Sequence, residues 1–337
     1  MREFLRADDR SPIFDVRSPG EHEHGHISGA LSLPIFDDQE RARVGTAFKQ
    51  QSPEDAFEIG LEVTGPKLAS FVRTARPLAV DNRVRVHCWR GGLRSNAMAW
   101  LFRQAGIEVD LLHGGYKAYR TEVLRSLRED RQFLVLGGMT GSGKTDAILA
   151  LKSNGAQAID LEGLAGHKGS AFGNLALTPQ PTSEQFSNDV HHELARLGDE
   201  APVWLEDESS SIGRVQVPPE LVERIRNAPI VLLERTDDDR VARLCVDYGD
   251  ADHVRLKDAF DRIRKKLGGQ NVQAAHAAID EDDLATATRI ALVYYDKYYQ
   301  RDLERRARPV RGTVQGSGLD QAELARALRA HEPAHAV

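Results

Sequence analysis

The chain has little cysteine, no long apolar run and no excess of positive charge. Two cysteines among 337 residues, Cys88 and Cys245, are too few for a disulfide framework and point to a reducing compartment, so a cytoplasmic protein is expected. No apolar run approaches the roughly 18 residues of a membrane span, so no membrane partner is expected. The opening residues, MREFLRADDR, lack the apolar stretch of a signal peptide. No segment of about 20–50 residues recurs, which excludes solenoids. A formal net charge of −6 excludes a wholly basic nucleic-acid binder but not a local basic patch. What is present is ordinary for a folded domain: 41% hydrophobic and 28% charged residues exclude a disordered, collagen-like or fibrous chain. At about 100–200 residues per domain, the length predicts two domains.

The pattern along the chain is α/β. Ile13 to Val16 and Val84 to Cys88 are short stretches rich in apolar residues, expected as buried strands. Met98, Leu101 and Phe102 at helical spacing follow the second run, with Gly106 as the stop, and Glu108 to Leu112 is a third strand. Strand, helix and strand in this order predict a parallel sheet. A charged helix from Tyr119 to about Arg131 leads to a new strand, Gln132 to Leu136, which runs into a glycine-rich turn and a helix. Further strands are expected at Ala158 to Asp160, Val203 to Leu205 and Ile230 to Leu233. From Asp252 the chain reads as helical, with Leu256, Phe260, Ile263 and Leu267 as the apolar stripe and the glycine pair after it as the stop. The expected division is 1–127 as the first α/β domain, 131–311 as the second with a helical C-terminal part, and 312–337 as a short helix and tail.

The most specific motif is Gly138 to Thr145, GMTGSGKT, which matches G-x-x-x-x-G-K-[ST] between a strand and a helix. Gly138, Gly141, Ser142, Gly143, Lys144 and Thr145 are therefore the candidate phosphate- or diphosphate-binding residues. Glycines let backbone amides wrap phosphate oxygens, the helix N-terminus adds positive potential, and Lys144 adds a point charge. Thr145 is placed to hold Mg²⁺; no other metal is assigned. Glu206, Asp207 and Glu208 end an apolar strand where a carboxylate meets a metal or reacting group, and Asp160 ends the strand expected after the P-loop helix. Glu206 to Glu208 also fit a solvated acidic loop.

Cys88 stands at a strand-to-helix junction in the sequence HCWRGGLRS. Backbone amides, a helix N-terminus, Arg90 and Arg94 would lower its pKa and expose a thiolate, making Cys88, Arg90 and Arg94 the candidate catalytic set. The C-x5-R spacing fits a phosphocysteine phosphatase as well as a carrier of persulfide or selenide. Cys245, in the helical pattern Val241, Leu244, Cys245, reads as a core thiol.

Asp15 to His22, Gly25 to Ala30, Leu33-Pro34 and the pair Gly114-Gly115 resemble the signatures of rhodanese domains, over about residues 10–120. The cysteine loop departs from common sulfurtransferases by one extra residue, which is the spacing of phosphatases of the Cdc25 type. The second domain adds Asp160 to Ala165, His167 to Gly173 with Lys168 and Ser170, Glu206 to Ser209, Lys266 to Gly269 and Tyr294 to Asp296. This combination resembles the tRNA 2-selenouridine synthases. Lys168, where that family more usually has Arg, keeps the charge; Ser210 and Ser211 stand where Arg is common.

The resemblance implies a cytoplasmic transferase acting on the wobble uridine of tRNA. It alkylates a 5-substituted 2-thiouridine with geranyl diphosphate, then exchanges the S-geranyl group for selenium from selenophosphate, supplied by selenophosphate synthetase. The P-loop would hold the diphosphate and Cys88 would carry or deliver selenium as a Cys-S-Se⁻ species. Asp160, Glu206, Asp207, Glu208, His167, Lys168 and Ser170 are candidates for substrate contact or acid–base work. Phe172, Leu175, Leu177 and Phe186 are candidates for an apolar slot. Arg255 to Lys266 carries six Lys or Arg against two acids, and Arg301 to Arg311 five Arg against two. From these, Arg262, Lys265, Lys266, Arg305 and Arg306 are the candidate tRNA contacts, although both stretches also fit solvated helix faces. Tyr294, Tyr295, Tyr298 and Tyr299 offer stacking faces. The alternative is a small-molecule kinase fused to a phosphatase, predicting ATP turnover and phosphate-ester hydrolysis; a third is a non-catalytic sulfur relay. The sequence by itself assigns no oligomeric state.

Overall fold

A computed structural model describes residues 4–5, 10–168, 179–249, 251–306 and 309–333. It divides into two compact units: Met1–Leu127 with Ser187–His192, and Arg128–Phe186 with Glu193–Val337.

In the first unit, strands β1 (Ile13–Asp15), β2 (Leu31–Ser32), β3 (Arg83–His87) and β4 (Glu108–Leu111) form a parallel sheet in the order β2-β1-β3-β4. The residues of β1, and all of β3 after Arg83, are buried, as expected of inner parallel strands covered on both faces. Phe14, Val84 and Val86 pack with Met98, Ala99 and Phe102 of the helix Leu93–Gln104. The helices Asp38–Gln50 and Pro53–Thr64 have no counterpart in the sequence reading. They bury little apart from Ala47, Ala56 and Thr64, so no strong apolar stripe announces them. The helix expected from Tyr119 starts earlier, at Gly115, because Gly114 turns the chain in the left-handed region just before it.

In the second unit, β5 (Phe133–Gly137), β6 (Val203–Glu206), β9 (Ile230–Glu234) and β10 (Val310–Gln315) make a parallel sheet in the order β10-β9-β5-β6. Between them in the chain, β7 (Ser211–Ile212) and β8 (Val215–Gln216) form a small antiparallel pair. The strand expected at Ala158 to Asp160 reduces to one bridge, Ala158 to Trp204. Asp160 instead caps the helix Leu161–Leu164, accepting from the amide of Gly163 at 2.7 Å, so the chain leaves the sheet after a single pairing.

The sequence reading did not find β10. Its burial alternates weakly, with only Val314 buried, because it lies at the sheet edge. The helix after it, Gln321–Arg329, buries Leu324 and Leu328 in the same core as Ala147, Ile148 and Leu151 of the P-loop helix Lys144–Ser153. Each such leucine contributes about 1.5–3 kcal/mol. The stripe Leu256, Phe260, Ile263 and Leu267 forms a separate helical core with the helices Gly269–Asp280 and Leu284–Arg306. Among the described residues no helix is long and apolar enough to cross a membrane.

Candidate active sites

The first site lies at the C-terminal end of β3, an inner strand of a parallel sheet, where open α/β folds bind their ligands. The chain leaves β3 at His87, turns through Cys88 to Gly92 and enters the helix Leu93–Gln104. Tyr116 and Lys117 donate their amides to the carbonyls of Cys88 and Trp89, each at 2.9 Å, which fixes the loop against the start of the next helix. Only glycine fits at 115: its φ is +60°, and a Cβ there would lie 2.4 Å from the Cys88 carbonyl oxygen and 2.5 Å from the Gly91 nitrogen.

The Cys88 sulfur is 3.2 Å from Ser95 Oγ. Burial pushes the thiol up, but the Ser95 hydroxyl and amide, the Arg90 amide and the Arg94 charge outweigh it and hold the thiol below its usual range. The exposed thiolate expected from the sequence is corrected here, since Cys88 is only 3% exposed. The loop that lowers its pKa also wraps it. Arg90 contributes an amide, while its side chain is exposed. Arg94 is held by Glu21, its Nη1 donating to Oε2 at 2.6 Å. Its charge thus reaches the sulfur from a fixed position, and Glu21 is a site residue that the sequence reading did not single out.

Beneath the loop, Asp15 and Arg17 form a wholly buried ion pair. Arg17 Nε is 2.9 Å from Asp15 Oδ1, Nη2 donates to the Gly25 carbonyl at 2.6 Å, and the guanidinium lies 3.7 Å from the Tyr116 ring centre. His87, next to the cysteine, is fully buried, and burial brings its pKa down to about 4, so it is neutral at pH 7.

The second site is the loop between β5 and the helix Lys144–Ser153. Gly138 has φ +154°, and a Cβ there would lie 2.6 Å from both the Leu233 carbonyl oxygen and Ser142 Oγ, so the loop is drawn tightly onto the end of β9. Lys144 Nζ donates to the Gly138 carbonyl at 2.9 Å. Ser142 is buried and its hydroxyl has no hydrogen-bond partner among the described residues. Thr145 Oγ1 donates to Glu162 Oε2 at 2.7 Å.

A cleft of about 300 Å³ opens at this loop, walled by Lys144, Thr145, Glu162, Lys168, Asp207 and Glu208. Burial and the Glu162 charge push the Glu208 carboxyl well above its usual range, with Lys144 opposing. Glu206, in the same acidic run, lies deeper still. It is fully buried and accepts from the Leu161 amide at 2.9 Å; burial, then Asp160 and Glu162, push its carboxyl well up. Asp160 is the cap already described. Lys168 reaches the cleft wall and pairs with Asp247 at 2.8 Å, whereas His167 is buried, its pKa lowered by burial. Ser170, Phe172, Leu175 and Leu177 lie outside the described residues. Phe186 is fully buried.

All four tyrosines, Tyr294, Tyr295, Tyr298 and Tyr299, line the same cleft. Gly138 donates its amide to Tyr299 Oη at 2.7 Å. Lys266 sits 5.9 Å and 5.6 Å from the ring centres of Tyr294 and Tyr298. Arg262, Lys265 and Lys266 are exposed. Arg305 and Arg306 end the helix Leu284–Arg306, and their side chains are outside the described residues.

Two further residues that brace the loop were not singled out in the sequence. Arg240, only 2% exposed, donates through Nε to the Thr140 carbonyl at 2.9 Å and through Nη1 to Asp296 Oδ2 at 3.0 Å. Arg235 Nε donates to the Ser142 carbonyl at 2.9 Å. The one available hint is the Tyr-Tyr-Asp stretch ending at Asp296. Among the described residues no cluster of three or more His, Cys, Asp or Glu is arranged to hold a metal ion.

Comparison with known proteins agrees with this division. Residues 131–332 match the family model described as the tRNA 2-selenouridine synthase AAA domain, and residues 2–122 match the rhodanese-like domain. A tRNA 2-selenouridine synthase of Marinobacter nauticus is 36% identical, over 78% of this chain and 77% of the relative. One from Bdellovibrio bacteriovorus is 34% identical over 88% and 89%. One from Shewanella denitrificans is 34% identical over 91% of each.

Proposed function

The chain belongs to the tRNA 2-selenouridine synthase family, and on that premise we propose that it is a cytoplasmic enzyme converting wobble 2-thiouridine in tRNA to 2-selenouridine through an S-geranyl intermediate. In the first step the thiocarbonyl sulfur attacks the geranyl carbon bound to oxygen. That carbon–oxygen bond breaks and diphosphate leaves. The P-loop supports this role: its amides, the helix N-terminus and Lys144 meet the negative charge that builds on the leaving group. The buried Ser142 hydroxyl adds a donor without another partner among the described residues. If Mg²⁺ accompanies the diphosphate, Thr145, Glu162 and Glu208 offer it the hard oxygen donors it prefers, and it would neutralise further charge.

S-alkylation turns a poor leaving group into a thiol. In the second step selenium from selenophosphate takes the place of sulfur at the same carbon. Geranylthiol leaves, and water takes the phosphoryl group as inorganic phosphate. We assign selenium delivery to Cys88. Its thiolate takes the phosphoryl group of selenophosphate, the phosphorus–selenium bond breaks and selenide is freed to attack the base carbon. Water then removes the phosphoryl group from the sulfur. The loop gathers amides and the Arg94 charge around that one sulfur. That depressed thiol is the observation that carries the reading. Selenophosphate synthetase is the corresponding donor supplier. The exposed cations Arg262, Lys265 and Lys266, with Arg305 and Arg306, are proposed to meet tRNA phosphates. Tyr298, 59% exposed and near Lys266, offers a ring for base stacking.

The test is mass spectrometry of nucleosides from a 2-thiouridine-containing tRNA treated with geranyl diphosphate, with and without selenophosphate. Geranylation followed by selenation is expected. Cys88→Ala should keep the first step and lose the second, and Lys144→Ala should lose both. Unchanged tRNA together with ATP hydrolysis would overturn the reading.

A further inference from the structure

The chain has three tryptophans. Trp204 is fully buried in the second unit. The other two stand exposed in the first: Trp89, in the loop after Cys88, is 37% exposed, and Trp100, on the helix Leu93–Gln104 that follows, is 61% exposed. Leu93, 75% exposed, lies on the same helix seven residues before Trp100, and Ala97 between them is exposed too. Seven residues make nearly two helical turns, so these three share one face that runs about 10 Å along the helix. An apolar strip thus starts at the cysteine loop and lies open to solvent, and contiguous exposed apolar surface of this kind marks a binding site.

The charge along this stretch has one sign. From Cys88 to Gln104 the sequence has no Asp or Glu and three arginines, in a chain whose net charge is −6. Arg90 and Lys117 are exposed beside Trp89: Arg90 follows it in the loop, and the Lys117 amide donates to the Trp89 carbonyl at 2.9 Å. Glu21, the acid of this site, is taken up by Arg94 at 2.6 Å and by Arg41 at 3.6 Å. The Trp89 ring is backed by the buried Tyr116, their ring centres 5.8 Å apart. An uncharged apolar partner would leave the cations unused. Flat rings flanked by cations suit single-stranded RNA, whose unpaired bases stack while its phosphates meet positive charge.

We propose that Trp89 and Trp100 form a stacking platform for unpaired bases, with Arg90 and Lys117 meeting the adjoining phosphates, so that the first unit itself binds the single-stranded loop carrying the target base. The inference rests on the tRNA reading above and deepens it by naming a base-binding surface in the first unit, distinct from Tyr298, Arg262, Lys265 and Lys266 of the second. The platform has a chemical purpose. Selenide freed at Cys88 must meet the base carbon before it diffuses away, and a base stacked on Trp89 is held one residue from the sulfur.

Two measurements test it on the full-length protein. The first needs no variant. Acrylamide quenches exposed indoles by collision and spares the buried Trp204, so it reports on Trp89 and Trp100. An anticodon stem-loop RNA carrying 2-thiouridine should lower the quenching constant by about half or more, because stacking covers the rings. A fully paired RNA duplex of the same length should not. Binding of each RNA is followed separately by the anisotropy of a labelled strand. The second measurement is the affinity for the stem-loop: Trp89→Ala and Trp100→Ala should each weaken it about tenfold, and Trp89→Phe, which keeps a ring, should restore most of the loss. Unchanged quenching with the stem-loop bound, equal shielding by the duplex, or full affinity in a folded Trp100→Ala would overturn the proposal while leaving the tRNA reading standing. Shielding only when the wobble sulfur carries a geranyl group would also overturn it, by giving the strip to the alkyl chain. Should neither RNA bind, the tRNA reading fails and the platform with it.

Discussion

Replacing His87 with leucine should flatten the acid sensitivity of the first unit. His87 is fully buried beside Cys88, and burial lowers its pKa from 6.5 to about 4. The sign follows from proton counting. Above pH 6.5 the imidazole is neutral in both states and its contribution is fully present. As pH falls from 6.5 to about 4, the unfolded chain takes up a proton that the folded unit refuses, so stability is lost across that window. At about 1.4 kcal/mol per tenfold difference in proton affinity, the loss reaches about 3 kcal/mol by pH 4. That is an opening equilibrium shifted by a little over a hundredfold. Leucine has similar volume and cannot titrate. The Asp15 carboxyl, held below its usual 3.8 by His87 and Arg17 against the cost of burial, titrates at still lower pH. The assay is amide hydrogen exchange, resolved by mass spectrometry on peptides covering β1 and β3, at several pH values and corrected for intrinsic rates. Protection in the unaltered protein should fall between pH 7 and 4 by about a hundredfold more than in His87→Leu. Parallel falls in the two proteins would refute the assignment of a buried neutral imidazole. The same neutrality leaves amides and Arg94 as the positive partners of the Cys88 thiol at pH 7, so thiol reactivity should show no step near pH 6.5.

Gly115→Ala places a methyl group where the Cys88 carbonyl oxygen would be 2.4 Å away. It should lower stability by about 1–3 kcal/mol and slow iodoacetamide labelling of Cys88; unchanged labelling would mean the loop tolerates a shift at 115. Glu206→Gln removes a fully buried carboxyl whose pKa is raised by burial, Asp160 and Glu162, yet keeps an oxygen for the Leu161 amide. Because the raised carboxyl contributes stability that is present below its ordinary range and lost as pH rises through its folded value, the variant should melt higher at pH 7 and depend less on pH above 4.5, as calorimetric melting at several pH values would show. Arg240→Leu leaves Asp296 unpaired and the Thr140 carbonyl without its donor. A loss of about 3 kcal/mol, with weaker pyrophosphate binding by calorimetry, is expected; a fully stable variant would show that Arg240 does not brace the loop.

Local sequence fixed the two loops because each is written in one short stretch. An apolar strand, a glycine-bearing turn and a helix start define both the P-loop and the Cys88 loop, and every requirement falls within about a dozen residues. The inner strands β1, β3 and β5 were legible for a related reason: each places buried apolar residues in a short stretch, Ile13 and Phe14, Val84 and Val86, and Phe133 to Leu136. Edge strand β10 was not, since only Val314 of its six residues is buried. The helices Asp38–Gln50 and Pro53–Thr64 were missed because surface helices without an apolar stripe leave no periodic trace.

The sequence by itself determined the phosphate loop, the cysteine and its glycine pair, the parallel α/β class and the family resemblance. Only the tertiary structure decided that Glu206 and Glu208 are buried while Asp207 between them is half-buried, that Cys88 is buried while its thiol is held low, and that Glu21 fixes Arg94. It alone brought Arg240, Asp296 and Tyr299, far along the chain, onto the P-loop. The physical reason is range: amide geometry and glycine conformations act between neighbours in sequence. Burial, charge pairing and carbonyl bracing depend on neighbours in space, which only the packed chain supplies.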